Sequence, residues 1–140
     1  MPHPTPYLAF DGTCREAMHF YEHALDGKLE VLMTNGESPM ACHFPPEAKD
    51  RILHARLSLP GGGVLMVGDC PQRAGYQGIQ GVSLTLDYDT TAAAERAFAA
   101  LSKGGTVTMP LQPSFWAKTW GMLKDRFGTP WIVNGELLPV

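Results

Sequence analysis

GTVTMPLQPSFWAKTWGMLKDRFGTPWIV, residues 105 to 133, decides how the rest of the chain is read. Five aromatic side chains, Phe115, Trp116, Trp120, Phe127 and Trp131, fall in three strand-like runs punctuated by Pro110, Pro113, Gly121, Gly128 and Pro130. Trp and Phe suit a half-buried pleated surface, whereas Gly and Pro interrupt it, so the stretch is predicted to be sheet rather than helix. Aromatic residues with few charges nearby, on a curved sheet, are also what lines a small-molecule pocket. The stretch is therefore expected to form one wall of a binding site.

Upstream of it the pattern reads strand Val82 to Leu86, a turn at Asp87 to Asp89, and a helix from about Thr90. Ala94, Ala97, Phe98 and Leu101 make the buried stripe of that helix, and Gly104-Gly105 close it. Strands are predicted at about Thr106 to Leu111, Lys118 to Lys124 and Trp131 to Asn134. The same sequence of elements comes earlier. Tyr7 to Phe10 is a short strand, Asp11-Gly12 a turn, and Thr13 with Glu16 has the spacing of a capping box opening a helix. Ala17, Phe20, Tyr21, Ala24 and Leu25 recur at helical spacing as its apolar stripe, and Gly27 ends it in a left-handed conformation. Lys28 to Thr34, Ile52 to Leu59 and Val64 to Val67 read as strands, the last two joined by the tight Pro60-Gly61-Gly62-Gly63 turn. NGESPMACHFPPEAKDR, between the first two of these, has the length of a lid or an edge cover. GDCPQRAGYQGIQG, rich in turn residues and without a period, connects the halves. One strand–helix–strand–strand–strand unit is thus used twice, with Leu25 and Gly27 in the places Leu101 and Gly104 take later.

A chain of 140 residues with net charge −3, 18% charged and 44% hydrophobic residues has the balance of a soluble globular protein. No basic stripe is available for a phosphate backbone, so nucleic acid is not an expected partner. No segment has the length and apolarity of a membrane span, and MPHPTPYLAF has neither the basic start nor the long apolar run of a secretory leader; the cytoplasm is the expected compartment. Cys14, Cys42 and Cys70 are odd in number and widely spaced, which fits reduced thiols better than a disulfide framework or a structural zinc site.

YLAFDGTCREAMHFYEHAL, the run RILHARLSL before VLMVGDCP, and above all TMPLQPSFWAKTWGMLKDRFGTPWIVN resemble the PhnB-like branch, often labelled 3-demethylubiquinone methyltransferase-like, of the glyoxalase, bleomycin-resistance and extradiol-dioxygenase superfamily, the vicinal oxygen chelate fold. The resemblance runs end to end. It implies an α+β fold of two tandem βαβββ modules, at about residues 5–70 and 80–137 of one glyoxalase-like domain, whose curved mixed sheets enclose a pocket for a small molecule, in a homodimer. Metal-using members hold a divalent ion with His, Gln or Glu, one from each of four strands. Counting from the matching motifs puts those positions at Pro6, Met66, Ser83 and Ile132. A slip of one residue exchanges Pro6 for Tyr7 and brings Asp69 close. None of the four counted side chains suits a transition metal, so the superfamily's metal centre and any other cofactor are expected to be absent. A divalent ion on a nonstandard site using His54 and Asp69, serving a lyase, isomerase or dioxygenase, is the alternative, as is a metal-free acid–base catalyst. A methyltransferase is not expected, because no glycine-rich strand-to-helix loop followed by an acidic residue is present to seat a nucleoside cofactor.

The substrate-binding set expected from the sequence is Ser83, Phe115, Trp116, Trp120, Met66 and His54. Alternation puts His54, Arg56 and Ser58 on one face of their strand, where His54 is the candidate base or hydrogen-bond partner. The plainer reading places His54 on the outer side of the sheet, since the sequence offers no carboxylate nearby to tune it. His19 and His23 have the spacing of a helical metal pair but oppose the buried stripe with no third ligand, so a solvated face is favoured. Asp125-Arg126 reads as an ion pair or turn cap rather than a catalytic dyad. Cys70 lacks the base or cation cluster that activates a thiol.

Overall fold

The alternation of the two half-sequences becomes the same sheet built twice. The computed structural model describes residues 2–71 and 75–139, and the chain divides into two compact units between Gly78 and Ile79. In the first unit, β1 (Tyr7–Phe10), α1 (Cys14–Ala24), β2 (Lys28–Thr34), β3 (Ile52–Ser58) and β4 (Val64–Asp69) form a four-stranded sheet of order β1-β4-β3-β2 with one helix. The second repeats it with β5 (Leu84–Tyr88), α2 (Thr91–Ser102), β6 (Thr106–Gln112), β7 (Ala117–Lys124) and β8 (Pro130–Leu137), in the order β5-β8-β7-β6. In each, the first strand runs parallel to the last and the remaining pairs are antiparallel. This is the α+β arrangement of tandem βαβββ units expected from the sequence. Residues 72–74 of the connection GDCPQRAGYQGIQG lie outside the described residues.

Each helix covers one face of its own sheet. In the first unit Leu8, Phe10, Ala55, Leu57, Leu65 and Val67 are buried beneath Cys14, Ala17, Met18, Tyr21 and Leu25. Burial of a large apolar side chain contributes about 1.5–3 kcal/mol, so this layer fixes which residues face in. By alternation Tyr7, His54, Arg56 and Met66 then occupy the helix-free face. In the second unit Ala94, Ala97, Phe98 and Leu101 of α2 are buried as predicted, against Ala117, Leu123, Trp131 and Val133. Trp120 and Met122 alternate with these on β7 and share the helix-free face with Ile132 and Asn134.

Several local expectations are corrected. The stripe of α1 is rotated: Cys14 and Met18 are buried, whereas Phe20 and Ala24 are only half-buried. The Thr13–Glu16 capping box does not form, since the Thr13 side chain makes no cap hydrogen bond. The acceptor comes instead from β4, where Asp69 Oδ1 takes the N–H groups of Gly12 (2.8 Å) and Cys14 (3.1 Å), and Oδ2 takes that of Ile52 (2.8 Å). A carboxylate here also meets the positive end of the helix dipole. The left-handed residue after α1 is Asp26 (φ 52°), not Gly27. Gly27 is required for space, because a Cβ there would lie 3.0 Å from the Leu57 side chain and the Ser58 carbonyl. Gly121 is not a break between strands; it sits inside β7, where a Cβ would come within 2.8 Å of Phe98 Cε2. Pro110 likewise lies within β6, an edge strand whose pairing with β7 slips around Met109. Strand β5 starts after Ser83, and β8 continues to Leu137, three residues past the predicted end.

The excursion between β2 and β3 is folded on itself. Asn35 Nδ2 donates to Ala48 O (2.9 Å), Gly36 N to Lys49 O (3.0 Å) and Lys49 Nζ to Ala41 O (2.7 Å), around two short 3₁₀ turns at Ala41–His43 and Pro46–Ala48. Arg51 then reaches back to Asp11 (2.8 Å) and to the Cys70 carbonyl (2.6 Å). Asp69→Asn, which turns one acceptor oxygen into a donor facing backbone N–H groups, is expected to destabilise the chain by about 2 kcal/mol or more. An unchanged urea midpoint would contradict the role given to Asp69.

Candidate functional site

Of the aromatic residues between Gly105 and Val133, Trp120 lies on the helix-free face of the second sheet and Phe115 and Trp116 in the loop before β7, whereas Trp131 is buried on the helix side. Before β7, residues 113–116 make a short loop pinned at three points. Ser114 N donates to Ala117 O (3.1 Å), Ser114 Oγ accepts from Trp116 N (3.3 Å) and Ala117 N (3.1 Å), and Leu138 N donates to Trp116 O (2.7 Å). This loop presents two aromatic rings. Phe115 and Trp116 meet edge to face with centroids 4.9 Å apart, and Trp116 packs on Trp120 of β7, again at 4.9 Å and inclined by 52°. Phe115, 76% exposed, stands at the outer end of the wall.

Beneath the wall runs a polar relay. Trp116 Nε1 donates to Asn134 Oδ1 (3.2 Å), and Asn134 Nδ2 donates to Asp87 Oδ1 (2.9 Å). An indole N–H can only donate and a carboxylate can only accept, so the Asn134 amide has one orientation. Asp87 and Asn134 are register partners on the parallel pair β5 and β8. Asp87 also lines a cavity of about 320 Å³ with Tyr88, Asp89, Glu136 and Leu137. In that cavity Glu136, at φ 56°, binds Lys118 Nζ through Oε1 (2.9 Å) and Thr91 N and Oγ1 through Oε2 (3.1 and 2.8 Å). The Lys118 hydrogen bond, then the two from Thr91, lower its pKa to about 2.

On the helix-free face of the first sheet, Tyr7 stands opposite Met66, and Met66 opposite Arg56. Tyr7 and His54 stack at 5.9 Å with planes 22° apart, although β4 lies between their strands. The intervening Gly68 makes this possible: a Cβ there would sit 2.8 Å from Tyr7 Oη and 2.9 Å from Leu53 O. Burial, and secondarily the Cys14 sulfur, raise the Tyr7 pKa.

The structure thus brings Phe115, Trp116 and Trp120 together on one sheet, and His54 and Met66 onto the same face of the other. Ser83 precedes β5 and is separated from the relay by Leu84 to Leu86. Asp69 has its oxygens bound to backbone N–H groups of its own unit, which leaves it a structural anchor rather than a partner for His54. Asp125 is buried and caps the β7–β8 hairpin, accepting from Phe127 N (2.8 Å), Thr129 N (3.1 Å) and Trp131 Nε1 (2.8 Å), while Arg126 lies 5.6 Å over the Phe127 ring. Cys14 is buried, and desolvation followed by the Asp69 charge pushes its thiol up to about 12, so it is not a nucleophile at neutral pH. His19 and His23 are exposed, with His19 Nδ1 4.0 Å from Glu22. Sequence reasoning missed the Asn134 relay because it ended β8 at that residue; the period-two alternation from Ile132 was the available signal.

Comparison with known proteins places this geometry. Residues 3–133 match the sequence pattern of the Glyoxalase/Bleomycin resistance protein/Dioxygenase superfamily. The chain belongs to that superfamily. The protein YjdN of Escherichia coli K12 is 30% identical, covering 93% of this chain and 92% of that protein. The crystal structure of PA1353 from Pseudomonas aeruginosa is 46% identical, with a TM-score of 0.88 over 97% of this chain and 98% of that one. A Bacillus cereus protein described as PhnB, a putative 3-demethylubiquinone-9 3-methyltransferase, shares the fold at 24% identity and a TM-score of 0.78, covering 96% and 99% of the two chains. Among the described residues no helix is long and apolar enough to cross a membrane.

Superfamily membership raises the question of a metal ion. The register sets Tyr7, not Pro6, beside Met66 in one sheet and Thr85, not Ser83, beside Ile132 in the other. Phenol, thioether, hydroxyl and alkyl groups are a poor donor set for a divalent transition metal. Among the described residues no three His, Cys, Asp or Glu side chains gather where they could hold a metal.

Glu136 has a pH signature. Its folded-state pKa, about 2, lies below the ordinary 4.5, so the stability it contributes is complete above pH 4.5 and disappears as the pH falls toward 2. Thermal melts at intervals of pH should show Glu136→Gln less stable than the parent at pH 7, with the gap closing below pH 4.5. A gap independent of pH would contradict this.

Proposed function

We propose that this chain binds a planar apolar or aromatic small molecule on the helix-free face of its second sheet, as a member of the PhnB-like branch of its superfamily, without a divalent ion. The observation that carries the reading is the Phe115–Trp116–Trp120 wall, whose indole is held in one orientation by Asn134 and Asp87. A fixed aromatic surface with a few placed polar groups is the composition of a ligand site, since a pre-ordered ring loses little entropy on binding. The poor donor set at Tyr7, Met66, Thr85 and Ile132 supports metal independence. Sequestration rather than turnover is the reading, because Trp116, Asn134 and Asp87 form a positioning chain and His54 stacks on Tyr7 without a carboxylate partner among the described residues. A homodimer is proposed on superfamily grounds, and light scattering that gives a monomeric mass would remove it.

Titration of intrinsic tryptophan fluorescence with a panel of tricyclic aromatic compounds, repeated by calorimetry, tests the site. Quenching that saturates is expected, with Trp116→Ala weakening binding about threefold to tenfold, in line with the ~0.5–1.5 kcal/mol of an aromatic pair. Added Zn²⁺, Mn²⁺, Ni²⁺ or Fe²⁺ should leave the affinity unchanged. A stoichiometric divalent ion in protein purified without chelators would overturn the metal-free reading in favour of a metal-dependent lyase, isomerase or dioxygenase.

A further inference from the structure

The ligand that the tryptophan wall receives can be narrowed by hydrogen-bond accounting, and the narrowing rests on the proposed binding face. Asn134 spends one lone pair on the Trp116 N–H and one N–H on Asp87, and the residue is buried, so it presents little polar surface to a ligand. The indole N–H is used as well. The exposed charge the relay leaves for a ligand is Asp87 Oδ2, because Asn134 engages only Oδ1 and no ion pair with Asp87 occurs among the described residues. Asp87 is exposed and its charge is matched by an amide N–H alone, in contrast to Glu136, which has Lys118.

We infer that this site selects a planar heteroaromatic cation whose ring stacks on Trp116 beside Trp120 and whose N–H edge donates to Asp87 Oδ2. Three independent features favour that chemistry. A carboxylate oxygen is an acceptor only, so it takes a donor edge and repels a carbonyl or carboxylate edge. A charge-assisted N–H···O hydrogen bond is roughly twice as strong as a neutral one. Indole faces are the best aromatic partners for a cation, and two of them adjoin here at 4.9 Å. Asp87 lies one amide width and two hydrogen bonds from the Trp116 nitrogen, a span that a two- or three-ring ligand covers edge to edge. An apolar ring without a donor would leave the Asp87 carboxylate poorly solvated beneath it, which costs affinity.

Three tricyclic probes of matched shape test the inference: 9-aminoacridinium as the cation, 9-anthracenemethanol as the neutral ring and 9-anthracenecarboxylate as the anion. Each is titrated at neutral pH into the parent chain, Asp87→Asn and Trp116→Ala, with circular dichroism to verify folding. In the parent, the cation is expected to bind at least tenfold tighter than the neutral ring, and the anion more weakly than either. Asp87→Asn should reduce cation affinity about tenfold and leave the neutral ring within twofold, while Trp116→Ala weakens both. Equal binding of cation and neutral ring in the parent would overturn the charge selection and leave the aromatic site standing. Binding of none of the three would remove the site itself. The ranking in the parent decides the matter even if Asp87→Asn does not fold.

Discussion

A carboxylate rising from the inner parallel strand grips the start of the helix in each unit, and the remaining geometry follows from that grip. In the first unit it is Asp69, the last residue of β4, bound to the N–H groups of Gly12 and Cys14. In the second it is Glu136 near the end of β8, bound to Thr91 through both backbone and side chain. Helix N-termini carry unpaired donors and a partial positive charge, so an anion from the sheet satisfies both at once. The second unit adds a local cap, with Thr90 Oγ1 accepting from Ala93 N at 3.1 Å. Where the first unit lacks such a cap, its carboxylate takes a further donor, Ile52 N, and so also fixes the start of β3.

Once each helix is anchored over one face, the other face is left for chemistry, and missing side chains decide what can gather there. Gly121 and Gly135 let α2 settle onto β7 and β8, since a Cβ on either would come within 2.8 Å of Phe98 or Ala94. Gly68 acts on the opposite side of its sheet, clearing a path over which the Tyr7 and His54 rings meet. The wall of the second sheet is built differently, from a loop whose serine and backbone bonds set Trp116 against Trp120 on the adjoining strand and Phe115 against Trp116.

Much of the architecture was legible from local patterns. The duplicated order of elements, the stripe of α2 and the grouping of Phe115, Trp116 and Trp120 all derive from period and turn chemistry within short windows. What escaped was long-range. The Thr13–Glu16 spacing looked like a capping box, but the real acceptor lies 55 residues away from Cys14 in the sequence, and nothing near Cys14 announces it. Gly121 resembled a strand break because a glycine needed for helix contact and one needed for a turn are the same letter. The relay through Asn134 depended on β8 continuing past its most apolar residues, which hydropathy alone does not extend.

The two anchors also differ in the kind of charge they meet. Asp69 is satisfied by neutral backbone dipoles, which dissolved ions hardly compete for, whereas Glu136 shares its carboxylate with the exposed ammonium of Lys118. Raising ionic strength screens an exposed pair of that sort and leaves backbone hydrogen bonds nearly untouched. Salt therefore weakens the hold of Glu136 on Lys118 of β7 while sparing its bonds to Thr91 and the whole of the Asp69 anchor, so the two copies of one fold respond unequally to the same solvent.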